Sequence, residues 1–296
     1  MHHRSNSLKL LCLLLCLACG VRPASAQYVL GSPNSTLNPA GWALDSSNLT
    51  GFSSAITNPA YFGTGGTVST SVTIDNMSTI NAGTLAGVNG FIAPWIANAD
   101  AASYLSAVTT AFRGGMDLWV LEDDSAHNPF GASLLNSSVF SPADGTTSSG
   151  SAPFFSGPFG TATGTATYGN FAQFNVSAIL ASGGTIAGYN ASGQATVAYW
   201  ARGAFAPGSG ALILFSDVDM ISNWEQNPYS PTLNANGILA LNTVAWLTQG
   251  ARAVPEPNTY VLLGLGGLAV VALARRRVPV RPDARREPPT GNQPEA

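Results

Sequence analysis

Charged side chains are scarce in this chain of 296 residues. Asp, Glu, Lys and Arg make up 9% of it, whereas a soluble globular domain usually has about 25%. Residues 1–26 carry three basic side chains and no acid, residues 27–253 carry 3 arginines and 11 acids, and residues 254–296 carry 6 arginines and 4 acids. The central region is therefore acidic, and a clustered basic surface for nucleic acid is excluded.

Cysteine, lysine and histidine are absent or nearly absent after residue 26. Cys12, Cys16 and Cys19 all come earlier, so the rest of the chain has no thiol nucleophile, thiolate metal site or disulfide. His127 is the one histidine after residue 26, which excludes a zinc site built from several histidines. Without lysine there is no Gly-Lys-Ser/Thr sequence, so a phosphate-binding loop of that kind is excluded as well.

The first 26 residues have the three parts of a secretory signal peptide. Arg4 and Lys9 supply positive charge, an apolar run covers residues 10–18, and Ala24 and Ala26 form an A-x-A cleavage site. The apolar run is too short for a membrane-spanning helix, which needs about 20 residues. We therefore expect signal peptidase to cut after Ala26 and the protein to be exported.

Near the C-terminus, a short proline-containing segment precedes an apolar stretch and an arginine triplet. The proline-containing segment consists of Pro255, Glu256 and Pro257. The triplet consists of Arg275, Arg276 and Arg277. The apolar stretch between them predicts a single transmembrane helix over residues 259–274, with its arginine end in the cytoplasm. The Pro-rich, charged residues 278–296 predict a disordered cytoplasmic tail.

This order of residues resembles the PEP-CTERM sorting signal of bacterial exported proteins over residues 254–277. The resemblance implies membrane anchoring, processing by a membrane exosortase near the Pro-Glu-Pro sequence, and delivery to the cell surface or extracellular matrix. The tail after the arginines departs from the pattern, since such signals usually stop soon after them. A plain C-terminal membrane anchor is the alternative.

Between the two ends, residues 27–253 predict one extracytoplasmic α/β domain. Strand-like runs occur at residues 67–74, 90–96, 116–121 and 211–215, and helical spacing occurs at residues 104–112 and 236–248. The run of strand, helix and strand predicts a βαβ unit, hence a mostly parallel sheet with helices on both faces, and Asp100 is expected to cap the helix. Alternating runs around residues 190–193 predict a β-hairpin insertion, and residues 137–172 predict long loops with at most one short strand.

Two segments, residues 210–223 and 242–247, resemble the end of class I glutamine-amidotransferase-like domains. Residues 112–120, where a helix ends in Gly-Gly before a strand, fit the same plan. The resemblance implies a flavodoxin-like fold over residues 40–248. Such amidotransferases use a cysteine nucleophile, which this region lacks, so the resemblance implies a domain without that chemistry.

Acidic side chains directly follow two of the predicted strands. They are Glu122, Asp123 and Asp124 after one strand, and Asp217 and Asp219 after another. Ligands bind outside the carboxyl ends of parallel strands, and clustered carboxylate oxygens suit hard cations such as Ca²⁺. The sequence demands no cofactor, but these five residues are candidates for a Ca²⁺ or Mg²⁺ site. Helix capping and turn formation are the alternative use of the same residues.

A secreted hydrolase is the catalytic alternative. His127 would be its general base. An acid such as Asp123 or Asp217 would orient the imidazole, and a serine such as Ser125 or Ser216 would be the nucleophile. The Gly-x-Ser-x-Gly sequence typical of a nucleophile elbow follows none of the predicted strands. We therefore expect a non-catalytic, ligand-binding domain and keep the hydrolase as the alternative.

The six tryptophans of the chain could stack on sugar rings wherever they are exposed. Trp224 is the strongest candidate because it lies in an irregular polar loop that also contains Tyr229. Trp119 and Trp246 lie in apolar patterns typical of a core. We therefore expect an exported surface or matrix protein whose partner is an extracellular polysaccharide, held by Trp224 and Tyr229.

Overall fold

The computed structural model describes most of the central region of the chain. The described residues are 27–135, 147–150, 152–166, 174–190, 192–224, 227–230 and 232–250. They belong to the first of two compact units, Met1–Ala253, and the second unit is Val254–Ala296. The predicted signal peptide, transmembrane helix and tail lie outside the described residues. Among the helices that are described, none is long and apolar enough to cross a membrane.

The described strands form a nine-stranded mixed sheet and a separate two-stranded hairpin. In chain order they are β1 (Gln27–Pro33), β2 (Ser71–Met77), β3 (Gly90–Pro94), β4 (Asp117–Leu121), β5 (Thr147–Gly150), β6 (Ser156–Gly157), β7 (Gly160–Thr161), β8 (Thr165–Ala166), β9 (Thr185–Tyr189), β10 (Ala195–Trp200) and β11 (Leu212–Phe215). The order across the sheet is β2-β1-β3-β4-β11-β10-β9-β5-β8, and β6 pairs with β7. The pairs from β2 to β11 are parallel, and the pairs from β11 to β8 are antiparallel.

Helices cover both faces of this sheet. The described helices are α1 (Thr50–Ile56), α2 (Ala82–Leu85), α3 (Asn98–Ala101), α4 (Leu105–Arg113), α5 (Pro129–Leu135), α6 (Val176–Ala181) and α7 (Ala235–Gln249), with 3-10 turns at Ser47–Leu49 and Val218–Met220. Trp119 and Leu121 of β4 pack with residues of α1 and α7 on one face. Leu118 and Val120 pack with residues of α4, α5 and α6 on the other. The complete burial of β4 follows from this double cover.

The βαβ unit is present where the sequence predicts it. β3 and β4 are parallel neighbours, with α3 and α4 between them in the chain. Gly115 follows α4 with a φ of +112°, a left-handed conformation that glycine adopts at low cost. The expected cap was wrong, because α3 begins at Asn98 after Ala97, and Asp100 lies inside the helix.

The antiparallel part of the sheet was only partly predicted. β9 and β10 form the expected hairpin, but the hairpin extends the main sheet and is no separate insertion. The described parts of residues 137–172 contain four short strands, β5 to β8, where long loops with at most one short strand were expected. The sequences of these strands are rich in Gly, Ser and Thr and do not alternate between apolar and polar residues. Hydrophobic periodicity therefore does not predict them.

Candidate ligand-binding site

The order of the parallel strands reverses between β1 and β3. From β1 the chain goes to β2 on one side, whereas β3, β4 and β11 lie on the other side. In open α/β sheets, ligands bind at such a reversal, outside the carboxyl ends of the strands. The loops that follow β1, β3, β4 and β11 form this edge of the sheet.

Four rings from these loops contact one another, and we call them the aromatic patch: Trp42, Trp95, His127 and Trp224. Trp95 stacks on His127, with ring centroids 3.6 Å apart and planes 15° apart. The ring centroid of Trp42 lies 5.9 Å from that of Trp95 and 6.3 Å from that of Trp224. The side chain of Trp224 is 64% exposed, and the other three are partly exposed. The aromatic patch therefore joins all four loops and keeps an accessible ring.

The backbone of Trp95 has an unusual conformation. Its φ is +42°, and no other non-glycine residue of the described ranges has a positive φ. Its N–H donates to the carbonyl oxygen of Leu121 at 2.8 Å, which holds it against the end of β4. Such a conformation costs about 1–3 kcal/mol and persists where surrounding contacts enforce it, often at binding sites.

Asn98 connects the loop after β3 to the loop after β4. Its side-chain Nδ2 donates to the carbonyl oxygen of Ser125 at 2.9 Å, and its Oδ1 accepts from the N–H of Asn128 at 2.9 Å. Within the second loop, His127 Nδ1 donates to the carboxylate of Asp124 at 2.8 Å. These contacts fix the orientation of the imidazole that Trp95 stacks on.

The residues directly before Trp224 are held by hydrogen bonds. The side chain of Asn223 donates to the carbonyl oxygen of Ser47 at 2.9 Å, next to α1. Ser222 Oγ accepts from the N–H of Trp224 at 3.2 Å and donates to Asp219 Oδ1 at 2.7 Å. The N–H of Trp224 is therefore held while its ring stays exposed, which lowers the entropy cost of binding a ligand there.

Two carboxyl groups after β4 have strongly raised pKa values. Burial raises the pKa of Glu122 to about 8, although the N–H groups of Phe130 and Gly131 donate to it at 2.9 and 3.1 Å. A Cβ at Gly131 would overlap the carboxylate of Glu122, so a larger residue there would displace this side chain. Burial, and next the negative charge of Asp124, raise the pKa of Asp123 to about 8.

The pKa of Asp124, in contrast, is lowered. Burial alone would raise its pKa, but the hydrogen bonds from the His127 side chain and from the N–H of Ala126 outweigh burial. The pKa of Asp124 is therefore below its usual value. Asp124 is a stable anion beside the aromatic patch.

The five carboxylates suggested as metal ligands do come to one edge, because β4 and β11 are parallel neighbours. Among the residues that the structure describes, however, no group of three or more His, Cys, Asp or Glu side chains is placed to hold a metal ion. Glu122 faces the start of α5, and Asp124 faces His127. Asp217 accepts from the N–H of Asp219 at 2.7 Å and caps the 3-10 turn. The hydrogen bonds of Glu122, Asp124 and Asp217 are therefore capping and turn contacts.

The hydrolase residues are close in the chain but are not arranged as a triad. Asp124, and not Asp123, accepts from His127 Nδ1. In the described ranges no serine hydroxyl forms a hydrogen bond with His127, and Ser125 lies in an exposed turn. The side chain of His127 has a ring on one face and a carboxylate at one nitrogen, which suits a structural or ligand-contacting role.

Tyr229 does not join the aromatic patch. Its hydroxyl donates to the carbonyl oxygen of Ile221 at 3.0 Å, and its ring contacts Phe52 in α1. Sequence reasoning placed most weight on Trp224, named His127 only as a candidate general base, and did not single out Trp42 and Trp95. Trp95 comes directly after β3, and this position at a strand end was the available signal.

Comparisons with solved structures find distant similarities of fold. One is the mmIFT52 N-terminal domain, which is 14% identical in sequence. The alignment covers 61% of this chain and 85% of that domain, with a TM-score of 0.42. Another is the cytoplasmic protein STM3548 from Salmonella typhimurium, at 12% identity, 61% and 82% coverage, and a TM-score of 0.43. The exo-beta-1,4-mannosidase Op5Man5 from Opitutaceae bacterium strain TAV5 is 12% identical, with a TM-score of 0.42 over 74% of this chain and 36% of that chain. At these values the likenesses carry no argument about function.

The sequence comparisons inform only the C-terminal part. No curated protein matches the chain. Residues 253–277 match the PEP-CTERM protein-sorting motif, which agrees with the resemblance found over residues 254–277. The match supports an exported protein that is anchored in the membrane and then processed by an exosortase.

Proposed function

We propose that this protein is a non-catalytic component of the cell surface or extracellular matrix, and that it binds a polysaccharide through the aromatic patch. The sorting motif supports export and exosortase processing. The observation that carries the binding function is the aromatic patch itself, at the reversal of strand order. The order of the five parallel strands, with β1 between β2 and β3 and then β4 and β11, corresponds to that of flavodoxin-like sheets.

A polysaccharide suits the chemistry of the aromatic patch. Indole rings offer large, rigid apolar faces with a polar edge, and the C–H faces of sugar rings pack against them. The surrounding loops add polar groups such as the carboxylate of Asp124, whose side chain is 31% exposed. An apolar surface with a few polar groups is typical of ligand sites.

The same arrangement supports binding without turnover. Residues 27–296 contain no cysteine to act in the manner of an amidotransferase. A hydrolase would need a nucleophile beside His127, and its contacts are with Trp95 and Asp124 instead. We therefore favour the binding function over the hydrolase.

Replacing Trp224 with alanine tests the proposal. We expect roughly tenfold weaker binding to the polysaccharide of the producing cells, because stacking of this kind contributes about 1–1.5 kcal/mol. Binding is measured by pull-down and by titration of tryptophan fluorescence with the purified polysaccharide.

Leu180→Ala is the matched control. Leu180 is 58% exposed, and it lies on α6, whose Ile179 packs on the face of the sheet opposite α1 and α7. This variant should bind as the wild type does. Equal binding by wild type and Trp224→Ala would contradict the proposed site.

A further inference from the structure

The two ring nitrogens of His127 have different surroundings. Nδ1 lies 2.9 and 2.8 Å from the two carboxylate oxygens of Asp124. Nε2 forms no hydrogen bond with any residue that the structure describes, and it is not fully buried. The side chain as a whole is 17% exposed. The protein therefore occupies one nitrogen of the imidazole and leaves the other open to a ligand.

The contact with Asp124 decides which nitrogen of the imidazole carries the proton. The N–H groups of Ala126 and His127 also donate to this carboxylate, at 2.7 and 3.0 Å, and hold it in place. The pKa of Asp124 is below its usual value, so the group is ionised at neutral pH and can only accept hydrogen bonds. In the neutral imidazole the proton is therefore on Nδ1, and Nε2 has a free lone pair.

The direction of Nε2 is fixed by contacts on the rest of the ring and on its loop. Trp95 stacks on the imidazole with the two planes 15° apart, which restricts the tilt of the ring. The N–H of Asn98 donates to the carbonyl oxygen of Ala126 at 2.8 Å, in addition to the side-chain contacts of Asn98 with the same loop. A hydrogen-bond acceptor held in this way loses little entropy when a ligand meets it.

Building on the proposed function, we propose that His127 is a specificity-determining residue of the aromatic patch, and that its Nε2 accepts a hydrogen bond from a sugar hydroxyl of the bound polysaccharide. Trp95 contacts both His127 and Trp42, and Trp42 contacts Trp224. The open nitrogen therefore belongs to the same continuous surface as the exposed indole, and one polysaccharide chain contacts both.

This contact narrows the class of polysaccharide that the protein binds. Stacking on an indole accepts any sugar ring that has an apolar face. A lone pair at Nε2 adds the requirement for a hydrogen-bond donor, because an acceptor that is covered by a ligand without a donor loses its bond to water. The ligand is therefore a polysaccharide with free hydroxyl groups, and the same chain with its hydroxyls methylated lacks the donor.

Two substitutions separate the roles of the two nitrogens. The side-chain amide of His127→Asn lies near the position of Nδ1, whereas the longer side chain of His127→Gln places its amide near the position of Nε2. Both variants lose the ring that stacks on Trp95, so each is the matched control of the other. We expect His127→Gln to bind the polysaccharide of the producing cells roughly fivefold more tightly than His127→Asn. A purely structural role, through Asp124, predicts the reverse order or no difference.

Nitrogen NMR spectra of protein labelled in its histidines test the same claim without a substitution. The full chain is used, purified in detergent if it stays in the membrane, and the His127 signals are assigned by their absence from His127→Asn. At about pH 7.5, above the range in which a free imidazole gains its second proton, the proton should be on Nδ1. Oligosaccharides released from the producing cells' polysaccharide should shift the Nε2 signal. The same oligosaccharides with methylated hydroxyls should leave it unshifted.

The outcomes distinguish this inference from the proposed function. If the wild type binds the polysaccharide and Trp224→Ala weakens that binding, but the Nε2 signal does not move, the inference is wrong and the proposed function stands. A free protein with its proton on Nε2, or equal binding by His127→Asn and His127→Gln, would also overturn the inference alone. No binding of the polysaccharide by the wild type would overturn the proposed function and the inference together.

Discussion

Replacing Asp117 with alanine is expected to destabilise the domain by about 3–5 kcal/mol, because it removes one partner of a buried polar network. The carboxylate of Asp117 accepts from the hydroxyl of Tyr28 at 3.0 Å, from the N–H of Ala211 at 2.9 Å, and from Arg202. Arg202 also donates to the carbonyl oxygen of Leu247 at 2.7 Å. One side chain thus links β1, β4, the start of β11 and the end of α7, and its loss leaves several donors without an acceptor.

The loss is measured as the free energy of unfolding in urea. Asp75→Ala is the control, because Asp75 is an exposed carboxylate of β2 and its removal should change the stability by less than about 0.5 kcal/mol. A loss below about 1 kcal/mol for Asp117→Ala would show that water or other groups replace the carboxylate. In that case the network would not hold these elements together.

The free energy of unfolding is expected to fall as the pH rises from about 5 to about 8. Burial raises the pKa of Glu122 from 4.5 to about 8, and that of Asp123 from 3.8 to about 8. Between these values the unfolded chain releases protons that the folded domain retains, so ionisation favours the unfolded state. The stability from these groups is complete below the unfolded pKa values and is lost as the pH passes the folded ones. The expected loss is a few kcal/mol, with roughly 5 kcal/mol as the ceiling for Glu122.

Glu122→Gln identifies the source of this pH dependence. Glutamine is neutral at every pH, so the variant should lose stability less steeply between about pH 5 and pH 8 than the wild type. Asp124 acts with the opposite sign, since its pKa is lowered, and it contributes a loss only in acid, below its usual pKa. Urea titrations at several pH values measure the slope. A stability that stays constant or rises across this interval would contradict the raised pKa values.

The C-terminal sorting motif was the most predictable part, because such a signal is short and local. The C-terminal prediction rested on residues within a span of about 25 positions, and the PEP-CTERM match covers residues 253–277. The parallel core was predictable for a related reason, since β4 is a fully buried strand and forms one continuous apolar run. β1 was missed because its short sequence contains glycine and proline and has no clear period.

The candidate site depends on pairings that the sequence cannot show. The contact between Trp42 and Trp95 exists because β1 and β3 are neighbours, although β2 separates them in the chain. The placement of acidic residues at one edge was predictable, but their directions were not. Glu122 turns toward α5 because Gly131 leaves space for its carboxylate. The antiparallel strands β5 and β8 likewise depend on backbone pairing far from their own sequence.

The most direct test of the account is the intact mass of the protein recovered separately from the medium, the cell envelope and the cytoplasm. The account predicts a chain outside the cytoplasm that begins at Gln27 and ends near Pro255–Pro257. Recovery of a chain that keeps residues 1–26 inside the cytoplasm would contradict export. An exported chain that keeps residues 259–274 in every fraction would contradict exosortase processing and favour a plain membrane anchor.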